Sequence, residues 1–320
     1  MEYLFLGVDI AKDYLVVYDG HHTYTFPNQR NLEQFQQFLK KRYQGKEKRL
    51  VVIYEPTGPY SAFLEEVLAL KQLKAVRLNP RKIPYLQEVV GKRAKTDGFD
   101  AQTLYNYQKF IDPSEIQVLK LDQKKEKLAL LLSDYFFLRQ QENNFANHLE
   151  ALKRSPFSSS ESIRFMRKHL QLFREQQKAL RKKMEELTKE DEEIEKAVGK
   201  MGEIKGVGFL TALGLSLLFK RRRVRNRGEV VALLGLDPLV KQSGKGQGPR
   251  RISRRGDKKL RGLLYMATLS AIKANEKIRE FYFRLRSKGK PGKVAVVACM
   301  RKLALMCWAH YKMAFSPFVP

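Results

Sequence analysis

Four carboxylates and one serine are the residues of this chain whose types and spacing could carry chemistry. Asp9 stands inside the apolar run "LFLGVDIA", Glu55 ends "RLVVIYE", and Asp97 and Asp100 fall three residues apart in "AKTDGFDAQTL". An i, i+3 pair shares one face of a helix. Taken singly, each acid has an ordinary reading. Asp9 accepts hydrogen bonds near a strand end, Glu55 is a loop acid, Asp97 caps a helix and Asp100 suits the dipole of its first turn. Gathered over one sheet, four carboxylates repel unless divalent cations neutralise them, and oxygen-only ligands select Mg²⁺ or Mn²⁺. Two such ions about 4 Å apart can activate a nucleophile and stabilise the leaving oxygen of a phosphodiester. Lys92, Arg93 and Lys95 directly precede the acidic pair. They would bind a phosphate backbone entering a site whose own charge repels it.

The serine is Ser243 in "KQSGKGQGPRRIS", followed by Gly244, Gly246 and Gly248 and surrounded by Lys241, Lys245, Arg250 and Arg251. Glycines let backbone approach a phosphate closely, and the cations would stabilise a pentacovalent transition state. Two readings stand on residue chemistry. The hydroxyl attacks phosphorus and holds a DNA end as an ester, or it only contacts phosphate in a flexible binding loop. Ser253 is a second candidate nucleophile. Arg254 and Arg255 continue the basic loop, and Arg221, Arg222 and Arg223 form a basic run upstream. Tyr265, Tyr282 and Tyr311 are available to a tyrosine recombinase, but no Arg–His–Arg–Tyr constellation accompanies them, so they read as core or interface aromatics.

Positioning these groups falls to three regions. Residues 1–123 alternate strand and helix signals. "YLFLGVDIA", "YLVVYDG" and "HTYTFPN" read as strands, "NLEQFQQFLKKRY" as a helix opened by Asn31, "RLVVIYEP" as a buried strand and "SAFLEEVLALKQ" as a helix. "LKAVRLNP" follows as a strand and "GFDAQTLYNYQKF" as a helix. That β-β-β-α-β-α-β-α order predicts an α/β domain whose central strands end in carboxylates.

From residue 124 the pattern becomes a seam of three- and four-residue steps: Leu128, Leu131, Tyr135, Leu138, Phe145, Leu149 and Leu152, with Glu142 in one polar slot. "SPFSSSES" reads as a turn. Beyond it the seam resumes through Ile163, Met166, Leu170, Phe173, Leu180, Met184, Leu187, Ile194 and Val198, with Gln177 and Asp191 as polar positions. Region 124–198 is therefore a coiled-coil hairpin packed within one chain or an oligomerisation stalk whose polar positions fix register. Residues 199–320 read as a basic, mainly helical domain around a Gly- and Arg-rich loop.

Charge sets the partner class. Lys and Arg number 62 against 34 Asp and Glu, a formal net charge of +28. Residues 196–320 hold 29 of those cations but six of the acids. Clustered cations of that excess point to nucleic acid, because neutralising phosphates releases counterions. No lipidation motif or basic amphipathic anchor favours a membrane surface, the N-terminus has no signal-peptide pattern, and no apolar run suits a bilayer span. A cytoplasmic protein, associated with the nucleoid when bound to DNA, is expected. Cys299 and Cys307 form neither a disulfide framework nor a zinc ligand set.

"GVDIAKD", "EPTG" and "AKTDGFDA" together are similar to the three signature blocks of the RuvC-like, DEDD-type transposases of bacterial insertion sequences, the insertion sequence one-ten family. "LLGLDPLVKQSGKGQGPRRISRRGDKKLRGLLYMATLSA" resembles that family's second domain. The resemblance implies an RNase H or RuvC-like fold for the first domain and a DEDD metal set of Asp9, Glu55, Asp97 and Asp100 that holds Mg²⁺ or Mn²⁺. It also implies Ser243 as the nucleophile, giving a 5′-phosphoserine intermediate. Donor and target DNA, a bridge RNA that pairs with both, and a dimer or tetramer joined through the coiled coil are implied as partners, with a composite site between subunits. Gly98 stands where the family usually carries a basic residue, and "EPTG" replaces the commoner "EATG". Two other classes remain: a junction nuclease that needs the carboxylates but not Ser243, and a non-catalytic RNA or DNA scaffold that needs neither.

Overall fold

A computed structural model describes residues 3–80, 97–222, 224–239, 242–243, 246–247 and 251–315, with only the backbone course given for 97–99, 242–243 and 246–247. The chain divides into two compact units, Met1–Asp122 and Gln123–Pro320.

The first unit is built on a six-stranded mixed sheet of order β3-β2-β1-β4-β5-β6. Strands β1 (Leu4–Ile10), β2 (Tyr14–Tyr18) and β3 (Thr23–Pro27) form an antiparallel meander. Strands β4 (Leu50–Tyr54) and β5 (Lys74–Arg77) then continue the sheet parallel to β1. Every residue of β4 is buried, as a β-branched run covered on both faces must be. Even-numbered β1 residues Leu6, Val8 and Ile10 pack with helices α1 (Glu33–Tyr43) and α2 (Ala62–Leu70). On the other face Phe5, Val51, Ile53, Val76 and Leu78 meet Leu104 of α3 (Asp97–Asn106) and Tyr107 just beyond it.

Two details differ from the sequence reading. Asn31 does not open α1 by capping it. It takes a left-handed φ of 67° within a short 3-10 turn, a conformation Asn tolerates, and the helix begins at Glu33. A sixth strand, β6 (Gln117–Val118), pairs antiparallel with β5; at two exposed residues it is too short to leave a periodic signal.

In the second unit, α4 (Gln123–Lys153) and α5 (Ser160–Lys189) form an antiparallel hairpin within one chain. Ser159 caps α5 by accepting from the Ser162 N–H at 3.0 Å. The two polar seam positions meet: Glu142 accepts from Gln177 Nε2 at 2.9 Å and from Arg174 Nε at 2.7 Å. The seam is not continuous to residue 198. Asp191 is an N-cap that accepts from the Ile194 N–H at 3.1 Å, so it starts a separate helix, α6 (Glu192–Gly202), instead of occupying a core slot. Helices α7 (Phe209–Arg222), α8 (Arg227–Leu233), α9 (Lys258–Ala274), α10 (Glu276–Ser287) and α11 (Gly292–Met313) follow, around a core that includes Phe219, Leu264, Leu303 and Trp308. Cys299 and Cys307 are buried free thiols in α11, and burial pushes the Cys307 thiol up to about 12.

Candidate functional site

Asp9 sits one step before the end of β1, half-buried, with its Oδ1 accepting the Ile10 N–H at 3.0 Å. It lies on the face shared by Phe5 and Gly7, the face that α3 covers. In the parallel ladder Gly7 pairs with Ile53 and Val8 with Tyr54. Carried one residue further, that register sets Glu55 level with Asp9, both at the C-terminal edge of adjacent central strands. Glu55 is half-buried just beyond β4.

Helix α3 brings the other pair. It rests directly on β1 at Gly7, where a Cβ would stand 2.1 Å from the Ala101 carbonyl oxygen and 2.5 Å from the Tyr105 nitrogen. No side chain other than hydrogen fits there. Tyr105 also reaches the next strand's end: its hydroxyl would be 2.4 Å from a Cβ on Gly20. Gly7 pairs with Tyr18 in the antiparallel ladder, so Gly20 lies towards the N-terminal end of β1. Helix α3 therefore lies across β1 and the end of β2, on the sheet face that carries Asp9. Asp97 is the first residue of that helix and Asp100, half-buried, lies one turn on. Ala101 and Leu104 are buried against the sheet, and the helical repeat places positions 97 and 100 on the same side.

Asp9 and Glu55 thus stand level on adjacent strands, and the helix that begins at Asp97 and carries Asp100 covers the face on which Asp9 lies. Their oxygen-only donor set suits a hard divalent ion. Among the described residues, which exclude the Asp97 side chain, no three His, Cys, Asp or Glu gather closely enough to hold a metal ion.

Two supporting features escaped the sequence reading. The Gly7–Tyr105–Gly20 clasp sets the depth of α3, aided by the Tyr18 ring, edge-on to Tyr105 at 5.3 Å, and by Tyr18 donating to the Gly20 carbonyl at 2.8 Å. A glycine inside a β-branched strand was the available signal, since strand glycines mark close backbone approach. Next to Glu55, the buried Tyr54 hydroxyl donates to Glu65 Oε1 at 3.0 Å, and Arg77 Nη2 binds the same oxygen at 2.5 Å. This bracket ties β4, α2 and β5 together at the site edge. Burial and the Glu65 carboxylate both push the Tyr54 phenol far above its ordinary range.

In the second unit, Ser243 falls on a two-residue strand β8 (Gln242–Ser243) that pairs with β9 (Gly246–Gln247), Ser243 opposite Gly246. A second short pair joins β7 (Pro238–Leu239) to β10 (Arg251–Ile252). The stretch read as a Gly- and Arg-rich loop therefore holds short strand pairs, too brief and glycine-rich to show alternation. Ser253 is engaged elsewhere: its hydroxyl donates to Asp237 Oδ1 at 2.6 Å and its N–H to the Asp237 carbonyl at 2.8 Å.

Beyond it, Gly256 packs so tightly on the α8 end that a Cβ would stand 2.1 Å from the Leu233 carbonyl. Asp257 caps α9. Arg251, Arg254 and Arg255 are exposed on this pinned turn, and Arg254 takes a left-handed φ of 54°. Arg221 and Arg222 are exposed in the last turn of α7, with Arg221 4.0 Å from Glu126. Lys92, Arg93, Lys95, Arg223, Lys241, Lys245 and Arg250 lie outside the described residues. Tyr282 and Tyr311 pack against the core, as expected of core aromatics, and burial raises the Tyr311 phenol to about 12; Tyr265 is exposed.

Two family models match the chain. One describes the DEDD transposases of the IS110 type over residues 6–154, and the other the transposase IS116/IS110/IS902 family over residues 200–283. The chain belongs to the IS110 family of transposases. All four carboxylates of this family member lie in the first matched segment, and Ser243 lies in the second. A relative in Mycobacterium paratuberculosis, the insertion element IS900 uncharacterized 42 kDa protein, is 30% identical over 108 residues. That alignment covers 34% of this transposase-family chain and 26% of the relative's length. Among the described residues no helix is long and apolar enough to cross a membrane.

Proposed function

We infer that the protein is the DNA transposase of an insertion sequence, cutting and rejoining strands at Asp9, Glu55, Asp97, Asp100 and Ser243. What supports this reading is the β1–β4 register, which sets Glu55 level with Asp9, together with the close seat of α3, the helix bearing Asp97 and Asp100, on Gly7 two residues before Asp9. Mg²⁺ or Mn²⁺ bound there would supply Lewis-acid stabilisation of phosphoryl oxygens and lower the cost of deprotonating an attacking hydroxyl.

The Ser243 hydroxyl is the nucleophile. Its oxygen bonds to a backbone phosphorus, the bond from that phosphorus to the neighbouring 3′ oxygen breaks, and the serine proton leaves to base as the 3′ oxygen gains one. One ester replaces another, so the 5′-phosphoserine keeps the bond for rejoining by an incoming 3′ hydroxyl. Arg251, Arg254 and Arg255 hold the backbone near the hairpin and offset charge as the pentacovalent phosphorus forms. The site is a composite between subunits of a dimer or tetramer, and an RNA paired with donor and target selects the sequence. The basic surface accommodates such an RNA through backbone and shape.

The test is strand exchange in vitro, with purified protein, Mg²⁺, RNA transcribed from the flanking sequence of the element and two DNA duplexes. Recombinant product that disappears with Ser243→Ala and with Asp97→Asn supports the reading. Cleavage that survives Ser243→Ala but not Asp97→Asn identifies a junction nuclease, and nucleic-acid binding with no strand chemistry identifies a scaffold.

A further inference from the structure

Helix α10 buries Ile278 and half-buries Phe281, Tyr282 and Leu285 on its inner side. On one outer flank, Arg279, Phe283 and Arg286 follow one another at helical spacing, and the Phe283 ring is 59% exposed. The turn to α11 adds Lys288, Lys290 and Lys293. Gly289 takes a φ of 74° in this turn, and the Arg286 guanidinium, donating to the Lys290 carbonyl at 2.8 Å, braces it. Between residues 276 and 293 there are seven Lys and Arg against two Glu. Among the described residues no ion pair holds any of these seven cations. The first turn of α11 carries no acid and no side-chain cap, which adds to the positive potential. An exposed ring flanked by unpaired cations is poorly suited to an apolar protein face, since burying the cations would cost more than the ring gains. It matches a nucleic-acid strand, whose phosphates meet cations while an unpaired base stacks on an aromatic face.

We propose that this flank binds single-stranded nucleic acid, with phosphates along Arg279, Arg286, Lys288, Lys290 and Lys293 and one unpaired base on Phe283. The surface uses none of the residues assigned above to strand chemistry, and most of its cations lie beyond the family match that ends at residue 283. It would hold an unpaired segment of the RNA or of opened DNA.

The experiment is fluorescence anisotropy of the full chain in EDTA, with a labelled single-stranded RNA, a single-stranded DNA of the same sequence and a duplex of equal length, across a salt series; the tighter of the two single strands identifies the occupant. Without divalent metal no strand chemistry is involved, so failure here leaves the proposed reaction standing and the converse also holds. Phe283→Ala should weaken single-strand binding about ten-fold and leave duplex binding unchanged, while Phe283→Trp retains it. Lys288→Gln/Lys290→Gln/Lys293→Gln should flatten the single-strand salt slope by about two. Equal loss for strand and duplex, no loss with Phe283→Ala, or an unchanged slope in the triple variant would overturn the proposal. So would a Phe283→Ala protein that binds normally but changes its sedimentation, since the face would then be a protein interface.

Discussion

At the scale of single residues, the four acids and the serine could be picked out from the chain because each departs from its surroundings: an acid inside an apolar strand, a pair at helical spacing, a serine among glycines and cations. Asp9→Asn and Asp100→Asn should fold as the parent does yet lose DNA cleavage by on the order of 100-fold or more, with Mn²⁺ binding weakened in parallel. Electron paramagnetic resonance of free Mn²⁺ during a titration reads the second effect, and unchanged binding in both variants would remove these acids from the metal set. Gly7 could not be identified the same way, because its role exists only once α3 lies on it. Gly7→Ala must displace the Ala101 carbonyl or the strand, an overpacking cost of roughly 1–3 kcal/mol. Urea unfolding should show that loss together with weaker Mn²⁺ binding, whereas a variant of full stability would mean that α3 is not clasped at Gly7.

Elements were readable where their signal is long. β1, β2, β4 and β5 announce themselves through short apolar runs, β-branched in β4, and α4 and α5 through a sustained seam. Two-residue strands such as β6 and β8 leave no periodicity to read. Polar seam positions 142 and 177 were evident too, but a seam does not say whether its partner is the same chain or another. Within the chain, Glu142 bonds Gln177 and Arg174 across the hairpin.

Those bonds hold the Glu142 carboxyl below its ordinary value, led by the Arg174 hydrogen bond and then that of Gln177. A lowered folded pKa stabilises fully above the ordinary Glu value of about 4.3 and ceases to do so as pH falls through the lowered value. Thermal melts from neutral pH down to about pH 3 should therefore show the stability gap between wild type and Glu142→Gln closing on acidification. A gap that stays constant would mean that the carboxylate charge contributes nothing to the hairpin.

On the scale of the whole molecule, charge announced the partner class and its distribution announced where it binds, since residues 196–320 carry 29 cations against six acids. Binding to nucleic acid should accordingly fall steeply and log-linearly with salt, and a flat response would disconnect the charge from function. The division into Met1–Asp122 and Gln123–Pro320 puts the carboxylates in one unit and Ser243 in the other. No sequence pattern within either unit states how the two sets meet on DNA, because that meeting depends on assembly with the substrate. The direct test of the account is to incubate the protein with Mg²⁺, RNA and DNA, denature it, and map the protein–DNA adduct by mass spectrometry. The account predicts a 5′-phosphate ester on Ser243, formed with Mg²⁺ and absent with Asp97→Asn. An adduct on Ser253 or a tyrosine, or strand exchange with no adduct at all, would contradict it.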